Sequence, residues 1–346
     1  MTAQISATRL RRSARGLPQP PAPETLLDQA LAPIEDDLNT ASDAVLAQLT
    51  DPAARRVVYL ITAGGKRLRP ALVLLAGACG PSPKRDALIH TAAAVELIHT
   101  ATLIHDDIID QSQLRRSQPA FHARWGTERA VLMGDYLYAT AFTRLARLTE
   151  GAVIRVMADV CQQLSRGELR EVEARYRLDL TESEYLEIIR DKTASLVGGC
   201  CQSGAVLGGC DARAVARLTS FGINFGLAFQ IIDDCLDLTG DPKELGKSIH
   251  ADLDKGALSL PIIYLTQALT TRERTRLFAP LREHATAPAF LARVAKAAQA
   301  SGAIAKAQER ARAFAALAAD AVPGVSMNGL AGVYERLAEY AVSRRS

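Results

Sequence analysis

The pattern Asp-Asp-x-x-Asp occurs twice in this chain, as "DDIID" (Asp106, Asp107, Asp110) and as "DDCLD" (Asp233, Asp234, Asp237). In a helix the first and last aspartates of such a pattern share a face, with Cβ atoms about 5–6 Å apart. Carboxylates that close repel, and at a helix C-terminus they also oppose the dipole. Two such clusters, each ending a long apolar stretch, argue for something cationic between them. Magnesium suits the part: it takes oxygen ligands and is commonly held by one or two carboxylates together with substrate phosphates. The aspartates would then be half of a site, completed by a phosphorylated substrate. The plainer alternative is a pair of acidic helix ends with scattered basic partners.

A basic counterpart lies upstream. "GGKRLRP" (64–70) places three cations and two glycines directly before the apolar run 71–75. Arg115 and Arg116 follow the first acidic cluster, Lys247 follows the second, and Lys192 lies on a helical stretch between them. Metals on one side and Lys/Arg on the other would clamp a diphosphate. A P-loop is excluded, because "GGKR" lacks the upstream glycine, the Ser/Thr and a preceding strand. "ELIH" (Glu96, His99) is half of a di-iron bundle signature, but no other histidine follows a glutamate at that spacing.

The elements that must carry these residues read as helices. Residues 87–110, 183–209 and 215–238 keep apolar positions at helical spacing and are apolar on most faces, as helices buried inside a large bundle are. No run of alternating β-branched residues suggests strands. The expectation is an all-α protein: one large helical bundle over residues 25–346 with a central active-site cavity, preceded by a basic, Pro-rich leader over 1–24.

Composition narrows the function. The chain has 346 residues, 48% hydrophobic and 23% charged, enough for a large core. A net charge of +3 is too small for a nucleic-acid binder, so the cations of "GGKRLRP" are a local feature. No stretch approaches eighteen consecutive apolar residues, and no membrane-spanning helix is expected. The six cysteines include no Cys-x-x-Cys pair and read as buried thiols in a reducing compartment. Residues 1–23 hold four arginines and no acid, without an apolar segment behind them, so they are no secretory signal. They read as a flexible leader on a cytoplasmic protein, an organelle transit peptide being the alternative.

Taken in order, "GGKRLRP", "ELIHTATLIHDDIID" with Arg115-Arg116 after it, "GELREVE", "DKTASLVGG", "FQIIDDCLDLTGD" and "LGKS" resemble the trans-isoprenyl diphosphate synthases, the polyprenyl synthetase family. The resemblance runs from about residue 25 to the C-terminus. It implies a prenyltransferase that condenses isopentenyl diphosphate, head to tail, onto an allylic diphosphate. It implies magnesium, three ions per active site, held by Asp106 and Asp110 on one side and by Asp233 with Asp237 on the other. Asp107 and Asp234 would support them. Arg115, Lys192 and Lys247 would neutralise the departing diphosphate. Lys66, Arg69, His99 and Arg116 match positions that hold the second substrate's diphosphate, and Thr193 and Gln230 match positions beside the allylic cation. No side-chain base is implied for the final proton loss. A homodimer, with an interface on the helix at 128–149, and a peripheral membrane contact for product release are implied as well.

This chain departs from the family's usual wording at three places. Ser117 stands where Arg-Arg is commonly followed by Gly, His250 replaces the second Gly of Gly-Lys-x-x-Gly-x-Asp, and Ala257 stands where a Lys is common, with Lys255 two residues before it. Product length is read from the turn before Asp106, which carries Ala101 and Thr102; short-product members have a bulky aromatic at the place of Ala101, and Met133 and Phe142 are candidates for the tunnel floor. A long-chain all-trans product is expected. The competing readings are a geranylgeranyl diphosphate synthase and a non-catalytic subunit of a heteromeric synthase, and the intact aspartates count against the latter.

Overall fold

The computed structural model describes residues 23–62, 65–240, 251–282, 286–322 and 329–344. Its longer helices are α1 (Pro23–Leu31), α2 (Glu35–Leu46), α3 (Leu68–Ala78), α4 (Arg85–Ile109), α5 (Thr127–Leu145), α6 (Gly151–Ala174), α7 (Glu182–Ile189), α8 (Ser195–Leu207), α9 (Ala212–Thr239), α10 (Leu260–Ala268), α11 (Pro288–Ala300), α12 (Ala303–Ala321) and α13 (Ala331–Ser343). The fold is all-α, as the periodicity predicts.

α8 lies at the centre, against α3, α6 and α9, while α4 packs on α2, α3 and α5. α9 is sheathed by α12 and α13, and α13 in turn holds α1. Phe221 of α9 meets Tyr334 of α13 edge-on at 4.8 Å, both fully buried. Such side chains contribute about 1.5–3 kcal/mol each by leaving water. The centre is tight because its contact residues are small: a Cβ on Gly204 of α8 would lie 2.2 Å from the Val73 carbonyl oxygen of α3.

Helix ends follow local chemistry. Thr181 and Glu184 form a reciprocal capping box at the start of α7, and the Asp211 side chain accepts from the Ala214 N–H at the start of α9. Among the described residues the only strands are a two-residue antiparallel pair, Leu114–Arg115 with Gln118–Pro119. Arg116 and Ser117 turn it with φ of +50° and +60°.

By length and composition α4 and α9 could each cross a bilayer, contrary to the expectation from apolar run length. Helical windows tolerate the few polar residues that interrupt a run. In this fold 67% and 50% of those windows are buried inside the protein, and both helices carry aspartates at their C-terminal ends. They are core elements of the bundle. All six cysteines are free, four of them buried.

Candidate active site

The chain enters α3 through Arg67, whose φ of +46° is left-handed and whose guanidinium is held by Asn39 at 2.9 Å. That turn puts Lys66 and Arg69 on the wall of a cavity of about 700 Å³, together with Glu96 and His99 of α4 and Arg116. Arg69 Nη1 donates to His99 Nε2 at 3.1 Å. A guanidinium only donates, so the imidazole accepts there and carries its proton on Nδ1. Burial, then Arg69 and Arg116, pushes the His99 pKa well below the ordinary value and keeps the ring neutral. Burial likewise lowers Lys66, followed by Arg344. Glu96 is raised by burial, while Arg69, Arg116 and Arg67 pull it down. Arg69 Nε is buried without a partner. Cations stripped of water at a helix N-terminus make a seat for an anion.

The same cavity also carries carboxylates. Asp106, in the last turn of α4, and Asp233, near the end of α9, both line the cavity. Burial pushes the Asp106 carboxyl up to about 7 against the pull of Lys192. The neighbours of these aspartates are occupied by the chain itself. Asp107 is 1% exposed and accepts from Arg115 Nε at 3.0 Å. Asp110 is paired with Arg175 at 2.8 Å and Lys255 at 3.1 Å. Asp233 Oδ1 accepts from Arg344 Nη2 at 2.7 Å. Asp234 accepts from Tyr185 Oη at 2.7 Å and Gln230 Nε2 at 2.8 Å, and its carboxyl is held well above the usual range by burial and then by Asp252. Asp237 is 2% exposed and accepts the Asp252 N–H at 3.4 Å.

Residues Arg190–Ala194 leave α-helical geometry for one π-helical turn, the kind of bulge that re-aims side chains at functional sites. Lys192 and Thr193 face the cavity from it. Asp191, on the other side, is gripped by Arg166 (2.7 and 3.0 Å) and Arg170 (3.2 Å). Gly167 of α6 admits the turn, since a Cβ there would lie 2.4 Å from the Lys192 nitrogen. Lys192 bonds Glu168 at 2.9 Å and also Glu171. Burial disfavours its charge, but Glu171, Glu168 and Asp106 outweigh that and hold the ammonium protonated. Thr193 Oγ1 donates to Gln230 Oε1 at 2.9 Å, fixing the amide that supports Asp234.

Lys66, Arg69, His99, Arg116, Asp106 and Asp233 are thus brought to one cavity, with Lys192, Thr193, Gln230 and Thr102. Asp110 and Asp234 open instead on an adjoining cavity of about 100 Å³, shared with Lys192, Gln230 and Lys255. Asp107 and Asp237, both buried, and the partly exposed Arg115 line neither cavity. Ala101 is fully buried and, like Met133 and Phe142, does not line the main cavity; α4 turns that face toward α5. Lys247 lies outside the described residues, as does His250. Tyr138, Glu168, Arg175 and Arg344 belong to the site without having been singled out from sequence, and Glu96 was singled out only as half of a di-iron signature. Glu168 stood inside a quoted motif, whereas Arg344 has no local signal at all.

The donor set fits a hard divalent cation. Asp106 and Asp233 offer only carboxylate oxygens, and Glu168, a neighbour of Asp106, has its Oε1 buried without a partner. Among the described residues no three His, Cys, Asp or Glu side chains converge into a closed cage. That is the chemistry of a cation that draws its remaining ligands from water and substrate phosphate.

An all-α bundle enclosing an anion seat together with paired aspartates defines a class of diphosphate-handling enzymes. Residues 52–299 match the family described as Polyprenyl synthetase, and the chain belongs to that family; it is a prenyl-transferring enzyme. Heptaprenyl diphosphate synthase component 2 of Geobacillus stearothermophilus is 40% identical over 240 residues, 69% of this chain and 73% of that protein. Nonaprenyl diphosphate synthase of Mycobacterium tuberculosis is 38% identical over 222 residues, 64% and 66% of the two chains. Geranylgeranyl diphosphate synthases are also among the relatives. The crystal structure of a polyprenyl synthase from Caulobacter crescentus, complexed with calcium and isoprenyl diphosphate, superposes with a TM-score of 0.88 at 32% identity, covering 92% of this chain and 98% of that one.

Proposed function

We propose that this chain joins isopentenyl diphosphate head to tail to an allylic diphosphate and repeats the step to a long-chain all-trans polyprenyl diphosphate for a quinone side chain. The observation that carries this reading is the cavity itself, which Lys66, Arg69 and Arg116 line together with Asp106 and Asp233.

Lys66, Arg69 and Arg116, with His99, seat the diphosphate of isopentenyl diphosphate. Asp106, Asp110 and Asp233, backed by Asp107, Asp234 and Asp237, hold magnesium, three ions in the loaded site. Bound there, magnesium would supply positive charge to the allylic diphosphate as a leaving group. Lys192 and Arg115, and Lys247, share that leaving-group charge. Leu164, Leu196 and Phe229 line the same cavity and keep water from the allylic cation. Thr193 and Gln230 present oxygen dipoles beside it. The double bond of isopentenyl diphosphate then attacks the cation, and the proton lost afterwards passes to the departed diphosphate.

Thr102 and Tyr138 on the cavity wall set where the growing tail runs. One catalytic unit extends from α1 to α13, the two ends joined by their mutual packing. The partner is a second copy, docked where α5 leaves Val131, Leu132 and Tyr136 exposed; the name "component 2" borne by the Geobacillus relative makes an unlike subunit the alternative. We place the enzyme in the cytoplasm, touching membrane only to release product.

The test is a magnesium-dependent assay with labelled isopentenyl diphosphate and farnesyl diphosphate, resolving products by length. A ladder running past geranylgeranyl diphosphate supports the long-chain reading. A stop at geranylgeranyl diphosphate replaces it with the shorter one, and no product with any primer leaves a non-catalytic subunit.

A further inference from the structure

The C-terminal end of α13 reaches the second acidic cluster. Arg344 directly follows the helix, and its side chain is 3% exposed although it carries a full charge. Its Nη2 donates to Asp233 Oδ1 and to the Phe229 carbonyl oxygen, both at 2.7 Å, and its guanidinium lies 3.6 Å from the centre of the Phe229 ring. Nε has no partner. Asp233 is a different kind of residue, 40% exposed and on the cavity wall. The pair is therefore lopsided: the cation is buried, and the anion faces the space where substrate would lie.

A buried guanidinium is tolerated only while its carboxylate stays beside it. A divalent ion on the same carboxylate would bring a second, larger positive charge within contact distance of the first. We propose that Arg344 is a placeholder cation for the metal at Asp233: guanidinium and metal compete for one carboxylate, and metal uptake there releases the C-terminal end of α13. Arg175 and Lys255 occupy Asp110 of the first acidic cluster in the same manner. Without metal, the chain's own cations thus keep a crowded set of carboxylates from repelling each other. The cost is affinity, since each ion must displace a partner already bound. Release also uncovers the ring of Phe229, which lines the main cavity.

This inference rests on Asp233 being a metal ligand, and the experiment separates the two. Magnesium is titrated calorimetrically into the full chain at saturating inorganic pyrophosphate, for wild type, Arg344→Met, Arg344→Lys and Asp233→Asn. Hydrogen exchange of peptides covering 331–344 is followed in the wild type with and without both additives. Arg344→Met is expected to bind magnesium roughly tenfold more tightly, about 1.4 kcal/mol, with Arg344→Lys in between. Exchange over 331–344 is expected to rise on adding magnesium and pyrophosphate, in the wild type and so independently of any variant's folding. Tighter binding by Arg344→Met without that rise would mean a general charge effect and overturn the competition. Unchanged or weaker binding by Arg344→Met, with Asp233→Asn weakened, would overturn the placeholder while leaving the ligand in place. An Asp233→Asn variant that binds magnesium as the wild type does would remove the metal reading of Asp233 itself.

Discussion

Arg69 and His99 share the floor of the anion seat, joined at 3.1 Å with the imidazole as acceptor. The bond fixes the ring as neutral, and that has a consequence for acid stability. In the unfolded chain His99 takes up a proton near its ordinary pKa of 6.5, while in the fold it does so only at much lower pH. Below 6.5 the unfolded state therefore binds more protons, and stability falls with pH by up to about 1.4 kcal/mol per unit for this group. His90, lowered by burial, acts in the same direction. His99→Gln, whose amide oxygen can accept from Arg69, should flatten the curve. Melting temperatures between about pH 5 and 7 read the slope; a variant with the wild-type slope would take His99 out of the account.

Removing a cavity carboxylate should stop the chemistry. Asp106→Ala is expected to lose at least about a thousandfold in turnover, near 4 kcal/mol of transition-state stabilisation; Asp233→Ala should lose as much but also destabilise the fold, because it strands the buried Arg344. Circular dichroism of Asp106→Ala should remain helical. A folded variant with near-normal rate would sink the metal assignment.

Ser117 sits at φ +60°, in the left-handed region, in the turn between the two short strands. Ser117→Gly relieves that conformation and is expected to stabilise the enzyme by about 1 kcal/mol, less the extra freedom glycine gains when unfolded. Denaturant titration measures it, and a destabilised variant would show that the hydroxyl does more than the backbone costs.

Gly167 should not tolerate a methyl group. Its Cβ would meet the Lys192 backbone at 2.4 Å, so Gly167→Ala must push the π-helical turn outward. A loss of about 1–3 kcal/mol is expected, with slower turnover because Lys192 and Thr193 move with the turn. Wild-type turnover in this variant would show that the turn's position does not matter to catalysis.

Product length should respond to the residues that line the cavity. Thr102→Phe is expected to shorten the product and Tyr138→Ala to lengthen it. Ala101→Phe, expected from sequence to shorten it, places its ring between α4 and α5 and should also cost stability through overpacking. Chromatography of the reaction products decides, and unchanged lengths in active Thr102 and Tyr138 variants would move the tunnel elsewhere.

The long helices could be read directly, because α4 and α9 keep an apolar spacing over many turns and end in the same acidic pattern. The cations and carboxylates of the site were legible for a related reason: they fall in short charged clusters, such as Lys66 with Arg69 and each Asp-Asp-x-x-Asp, that stand out against apolar helices. Arg344 was not legible, since it meets Asp233 only after α13 packs on α9. The π-helical turn was hidden too; it depends on Gly167 and on the grip of Arg166 and Arg170 on Asp191. Periodicity places Ala101 and Thr102 about 100° apart around α4. It cannot say which of the two looks into the cavity, and that is decided by where α5 sits. A turn near Ser117 was legible because the family commonly has Gly there, but the positive φ of both Arg116 and Ser117 was not, since neither residue usually adopts it.

Residues 182–207 form an unbroken rod in which five residues, Arg190–Ala194, take π rather than α geometry. Such a turn acts as a phase shifter. A single extra residue rotates everything beyond it by about 100° relative to everything before it, so the stripe that α7 buries and the stripe that α8 buries need not lie in line. Deleting one residue from the turn would return the rod to uniform pitch at no loss of helix. Either Lys192 and Thr193 would then swing off the cavity, or the whole of α8, with the close contact of Gly204 to Val73, would have to rotate out of the centre of the bundle.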